Sequence, residues 1–180
     1  MQTRGEKSRL GQPLSACSGT GVFVGYASLF GVRDASGDMV MPGAFATSLR
    51  KRPPTEVRML FQHDPAEPVG TWLEMIENER GLYVRGRLDA RVQRGSELLS
   101  LLESGGLDGL SIGFKTLVAS REKVTNTRLL LKVDLWEVSL VTFPMLAGAR
   151  VSELKHRALV EAARIFQIPT LNNGEKTHGL

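Results

Sequence analysis

A single cysteine, Cys17, in 180 residues leaves no partner for an intrachain disulfide. Set in a Ser/Gly-rich stretch, Cys17 reads as a bystander and not as a reactive thiol. Aromatic residues are also scarce, at 6%. They are not interleaved with a basic stripe, so the net charge of +4 does not outline a nucleic-acid surface. The densest basic run, Arg50-Lys51-Arg52, meets Pro53-Pro54 at once and reads as a solvated loop. No apolar run approaches the roughly 20 residues needed to span a bilayer. Met1 to Leu14 lacks the apolar stretch of a secretory signal. The expectation is a soluble, intracellular protein with no membrane partner and no specific nucleic acid. Neither a phosphate-binding loop nor a dinucleotide fingerprint is present. His63 and Asp64 are adjacent, and no His/Cys/carboxylate set has zinc-like spacing, so no metal or cofactor is expected.

What is present is 42% hydrophobic and 23% charged residues, enough for one domain with a core of its own. Residues 1–19 mix Gly, Ser, Pro and charge without periodicity and are expected to form a flexible arm, with 170–180 a polar, flexible tail. Between them, residues 20–169 form the expected domain. Strands are expected over residues 20–30, from Val57 to His63, over Val69–Ile76, Leu82–Leu88 and Leu107–Leu117, and over Leu129–Thr142 with a kink at Asp134. Residues 31–41 read as a loop turning at Asp34 to Gly37. Helices are expected from Pro42 to Leu49, from Val92 to Leu102, and from Val151 up to Pro169, where apolar residues through Phe166 recur at three- and four-residue steps. The fold class is α+β, mainly β, and the even spacing of strands favours a closed or nearly closed β-barrel surrounded by helices.

Three segments could carry chemistry. In Gly109-Leu110-Ser111-Ile112-Gly113-Phe114, strand alternation puts Leu110, Ile112 and Phe114 on the core face. Ser111 then lies on the other face between two glycines, with room for an extended substrate to approach. The pattern also fits a glycine pair that merely relieves crowding. It is not the nucleophile elbow of α/β-hydrolases, because strand-like residues continue beyond it. A serine hydroxyl needs a base. Of the three histidines, His156 lies on an expected helix surface and His178 in the tail, whereas His63 ends a strand beside a turn. In Leu135-Trp136-Glu137-Val138-Ser139-Leu140, alternation sets Trp136, Val138 and Leu140 on one face and Glu137 with Ser139 on the other. Glu137 could orient an imidazole or simply face solvent. Asp64 and Asp134 are rival orienters, and Ser139 is a rival nucleophile between bulkier neighbours.

Taken in order, these segments resemble a known family. His63-Asp64-Pro65 with Pro68-Val69-Gly70, then Gly81-Leu82 and Gly86-x-Leu88, then Gly106-Leu107-x-Gly-Leu-Ser-Ile-Gly-Phe114, then Leu135-x-Glu-Val-Ser-Leu-Val-Thr-x-Pro144 resemble the prohead (capsid maturation) serine proteases of tailed bacteriophages, distantly similar to the herpesvirus assemblins. The likeness runs from about Gly25 to Val151. It implies a β-barrel surrounded by helices, and a catalytic set of Ser111 as nucleophile, His63 as base and Glu137 as third member. Backbone N–H groups of Met145 and Leu146 are the implied oxyanion donors, since Pro144 has none to give. The implied substrates and partners are scaffold, the major capsid protein and the chain itself, inside an immature capsid in a bacterial cytoplasm. The alternative is a non-catalytic assembly or scaffold factor on the same framework. The sequence departs from the family at Gln62, where asparagine is common, and at Met145-Leu146, where small polar residues are.

Overall fold

The structure, a computed structural model, describes residues 21–155. The expected arm, the expected tail, Cys17, His156 and His178 lie outside the described residues. Within them runs an eight-stranded mixed sheet with two helices. The strands are β1 (Val22–Leu29), β2 (Asp38–Val40), β3 (Arg58–Phe61), β4 (Asp64–Glu77), β5 (Gly81–Leu88), β6 (Gly109–Arg121), β7 (Arg128–Val141) and β8 (Val151–Lys155). The helices are α1 (Ala46–Lys51) and α2 (Gln93–Ser104). Pairing follows β2-β7-β3-β4-β5-β1-β8, with β6 antiparallel to β7 on that strand's other edge. Two of these contacts, β2 to β7 and β3 to β7, are parallel.

The core is built from the alternate residues that the sequence pattern marks as apolar. Phe23, Trp72, Phe45, Leu82, Leu98, Leu99, Leu110 and Leu140 are fully buried. Phe23 meets Trp72 edge to face, with ring centroids 5.6 Å apart, a geometry favoured by the ring quadrupoles. The Trp72 indole N–H donates to the Arg58 carbonyl at 3.3 Å.

The structure departs from expectation in four places. First, the sheet does not close into a barrel. Its ends, β6 and β8, meet at a single bridge between Gly109 and Arg150. Flanking it, Leu110 N–H donates to Ala149 O at 2.9 Å and Val151 N–H to Asp108 O at 2.8 Å. Second, Val151–Lys155 is strand and not the start of a helix; the rest of the expected helix lies outside the described residues. Here the unpaired edge of β1 overrides the helical spacing. Phe23 pairs with Leu154, and β8 crosses so near Gly25 that an added Cβ would lie 2.9 Å from Val151 Cα. A glycine inside a strand is the mark of such close backbone approach. Third, the expected loop at 31–41 contains β2, too short to show a period. Fourth, β7 carries a bulge opposite Gly113 and Phe114, which pair with Glu137 and Leu135 and skip Trp136. The bulge turns Trp136 out to solvent at 54% exposure, so it does not share the buried face of Val138 and Leu140.

Candidate active site

The hairpin joining β3 to β4 has the shortest common link. Phe61 pairs with Asp64, leaving Gln62 and His63 as the two central residues, at φ 53° and 61°. Two left-handed residues in succession define the type I′ turn, which matches the twist of the flanking strands and ordinarily takes Asn-Gly. For side chains that branch at Cβ or are bulky this region is strained, but histidine is among the residues that enter it more readily. Three bonds to β7 and its exit hold the turn. Gln62 N–H donates to Leu140 O at 3.0 Å. His63 N–H donates to Ser139 Oγ at 3.1 Å. Gln62 Nε2 donates to Thr142 Oγ1 at 2.7 Å.

The turn aims the His63 ring at β7, where Nδ1 lies 2.6 Å from Glu137 Oε1. Glu137 Oε2 in turn accepts the Ser139 hydroxyl at 2.7 Å. An ionised carboxylate can only accept, so Nδ1 carries the proton and the neutral ring presents its lone pair at Nε2. Among the described residues, Nε2 has no hydrogen-bond partner. The hydrogen bond His63 donates to Glu137 raises the His63 pKa above its ordinary value; burial opposes this, and the carboxylate's charge adds to it. The His63 side chain is 41% exposed and that of Glu137 13%, so the pair is reachable from solvent on the imidazole side.

Ser111 sits one strand over. It pairs directly with Ser139, as Gly113 pairs with Glu137. Directly opposed residues of an antiparallel pair project to the same side. Ser111, Ser139 and Glu137 therefore share the face onto which His63 folds. Ser111 is 6% exposed. Its hydroxyl has no partner among the described residues, yet it is not sealed from solvent, since no buried polar side-chain atom lacks a partner. No hydrogen bond joins Ser111 to His63. Such contacts are often long in apo enzymes and tighten with substrate bound.

The flanking glycines do something other than leave a bare strip. Glu137 lies across Gly113 so closely that an added Cβ would overlap Oε1 and stand 2.7 Å from Cδ. At Gly109 a Cβ would come within 2.9 Å of the Pro144 ring. The open space is instead a cavity of about 120 Å³ beside Ser111, lined also by Leu29, Val32, Asp34, Met145 and Leu146. Met145 is held there by its carbonyl, which accepts Ala35 N–H at 2.9 Å. No acceptor among the described residues takes the N–H of Met145 or of Leu146.

The rival residues are otherwise engaged. Asp64 Oδ1 accepts Ala66 N–H at 2.8 Å. Asp134 pairs with Arg52 at 3.2 Å and accepts Trp136 Nε1–H at 2.8 Å. Ser139 is fully buried, with its proton given to Glu137. Among the described residues, no three His, Cys, Asp or Glu side chains are grouped to hold a metal ion.

A serine and a carboxylate from two paired strands, with a histidine folded onto their shared face from a hairpin turn, invite comparison with known peptidases. The family model for the caudovirus prohead serine protease matches residues 12–163. The chain belongs to this family. The prohead protease of Enterobacteria phage HK97 is 34% identical over 146 residues, which cover 80% of this chain and 64% of that protein. The prohead protease of Escherichia phage T5 is 29% identical over 119 residues, 62% of this chain and 53% of that protein. The chain thus spans less than two-thirds of these family members. Solved structures similar in fold include the capsid assembly protease of bacteriophage T4, with a TM-score of 0.56 at 12% identity, covering 67% of this chain and 80% of that one. Another is the KSHV protease bound to a hexapeptide phosphonate inhibitor, with a TM-score of 0.54 at 18% identity, covering 83% of this chain and 72% of that one.

Proposed function

We propose that this chain is a serine endopeptidase of capsid maturation, with Ser111 as nucleophile, His63 as general base and Glu137 as the carboxylate that orients it. Ser111 Oγ attacks the scissile carbonyl while His63 Nε2 takes its proton. The imidazolium formed then protonates the leaving amine, and water attacks the acyl-serine with His63 again as base. Glu137 holds the Nδ1–H tautomer and stabilises the transient cation. Met145 and Leu146 N–H groups receive the tetrahedral oxyanion. The cavity beside Ser111 accepts a substrate side chain.

The observation that carries this reading is the 2.6 Å contact of His63 Nδ1 with Glu137, beside a strand that offers the unbonded Ser111 hydroxyl on the same face. The substrates we propose are scaffold segments, the N-terminal part of the major capsid protein, and the chain itself, within an immature shell in a bacterial cytoplasm. Confinement there raises substrate concentration, so modest intrinsic activity suffices. A nearly closed barrel belongs to the same proposal, supported by the contact of β6 and β8 at Gly109 and Arg150.

A fluorophosphonate tests the chemistry directly. It should label the chain on Ser111, and Ser111→Ala should abolish both labelling and processing of capsid protein. Unchanged processing by that variant refutes the assignment. Capsid-protein binding without any labelling would instead identify a non-catalytic assembly factor.

A further inference from the structure

Ser139 was weighed above only as a rival nucleophile, and its bonds rule that use out while suggesting another. A backbone N–H can only donate, so the His63 N–H fixes Ser139 Oγ as an acceptor, at 3.1 Å. The single hydroxyl proton is then committed to Glu137 Oε2, at 2.7 Å. Glu137 returns to the same histidine through Oε1 and Nδ1, at 2.6 Å. The result is a closed circuit: His63 main chain to Ser139, Ser139 to Glu137, Glu137 to the His63 ring. Ser139 is fully buried, so water does not compete for either bond.

We propose that Ser139 is a positioning residue that locks the His63 turn and the Glu137 carboxylate into one unit, fixing the plane and tautomer of the imidazole. The terminal torsion of a glutamate is broad, with no well to hold it. A carboxylate gripping the ring through one oxygen could therefore swivel, and the second oxygen needs its own bond to stop it. The main chain of His63 has a matching need. Its left-handed φ of 61° is costly for a non-glycine residue and must be held from outside. One hydroxyl meets both needs. It sits two residues from Glu137 on the same strand, so the spacing of the two anchors is set by β7 itself. The role of this unit in peptide cleavage rests on the function proposed above, but the coupling of the three residues does not.

The test is a titration of the His63 ring by ¹⁵N NMR in the full chain, alongside kcat and KM on a capsid-protein substrate. In the parent, the midpoint should lie above the ordinary histidine value. In Ser139→Ala, it should fall back toward that value, with kcat reduced about 10- to 100-fold and KM changed less than about twofold, the pattern of a misplaced catalytic group. Ser139→Thr, which restores the hydroxyl, should recover the midpoint and most of kcat. A midpoint unmoved by Ser139→Ala shows that the residue only fills space, and a raised one shows that it competes with the imidazole for Glu137; either overturns the inference. If the alanine variant does not fold, Ser139→Cys keeps the volume and weakens the donor, and the same two readings of its midpoint decide. The titration needs no peptidase activity, so an inactive parent would sink the proposed function and leave this inference to stand or fall on the midpoint.

Discussion

Strands β6 and β7 are one antiparallel pair with two unlike ends. At the end near Ser111, residues Gly109 to Gly113 oppose Val141 to Glu137 in unbroken register, and β3 pairs along the other edge of β7. Leu110, Val138 and Leu140 are fully buried there. At the far end the register shifts twice between Thr116 and Ala119, and Leu117, Val118 and Leu131 stand 41–48% exposed. Between the two ends, the free edge of β7 is met by α1 and the loop before it, with Ser48 Oγ accepting Leu135 N–H at 2.9 Å and Ala44 O accepting Val133 N–H at 3.0 Å. The difference lies in the neighbours more than in the strands. Where β7 has a strand on each side, a polar side chain can be held to a single hydrogen-bonded position. Where α1 and its loop take that place, Leu131 and, across the pair, Leu117 and Val118 are left to solvent, until β2 takes up the edge again at Arg128–Leu130.

Substitutions can break that contrast at either end. The largest effect is expected from Ser111→Ala, which should lower kcat at least about 10³-fold. It should leave the melting temperature nearly unchanged, because the hydroxyl has no partner to lose. Glu137→Gln comes next, with a loss of about 10²- to 10⁴-fold in kcat, since an amide can present the wrong group to Nδ1. It should also shift the acid limb of the pH–rate profile to lower pH, because the carboxylate that raises the His63 pKa is gone. Rate against pH for parent and variant checks both parts, and an unmoved limb would separate Glu137 from the base. Gly113→Ala should cost about 10- to 100-fold in kcat, as the new methyl displaces the Glu137 carboxylate that overlies it. Thermal melts should show it destabilised by about 1–3 kcal/mol. The smallest effect is expected at the far end, where Leu117→Ser should change stability by less than about 0.5 kcal/mol and leave kcat alone.

The same raised pKa sets the sign of the linkage to folding. A histidine whose pKa is higher in the folded chain adds stability that is complete below its unfolded value and fades as pH rises through the folded one. As the proposed base, His63 would act only when neutral, so rate should climb over the same interval in which this contribution to stability declines. Denaturation midpoints measured across that interval should fall more steeply in parent than in Glu137→Gln, which lacks the carboxylate that raises the His63 pKa.

How much of this could be read from residue order depends on range. Alternation of period two suffices to bury Leu110, Val138 and Leu140 and to set Ser139 with Glu137 on the opposite side, because it depends only on a strand being a strand. It fails at Trp136, where one extra residue in β7 resets the phase, and nothing local in Asp134-Leu135-Trp136 announces the bulge. It fails again at Val151–Lys155, where pairing with β1, more than a hundred residues earlier, outweighs a helical spacing. Gly25 was the available signal, since a glycine amid Val24 and Tyr26 leaves space for another backbone. Gln62-His63 reads in sequence as the end of a strand beside a turn, whereas the strand stops at Phe61 and the two residues are the turn itself; its left-handed backbone gives no local sign, because neither residue is the usual Asn or Gly. The bonds of Ser139 were out of reach for the same reason: they depend on where that turn lands.

A two-residue link has no slack to give. Phe61 and Asp64 are already paired, so His63 has no loop in which to wander; the ladder breaks just below, where Leu60 pairs with Pro68, and the stiffness of the turn comes from its bonds to β7. Chain length there is therefore fixed: one residue added or removed would swing the ring away from β7 altogether. Any retuning of this base, by mutation or by design, has to come through the strand that receives it.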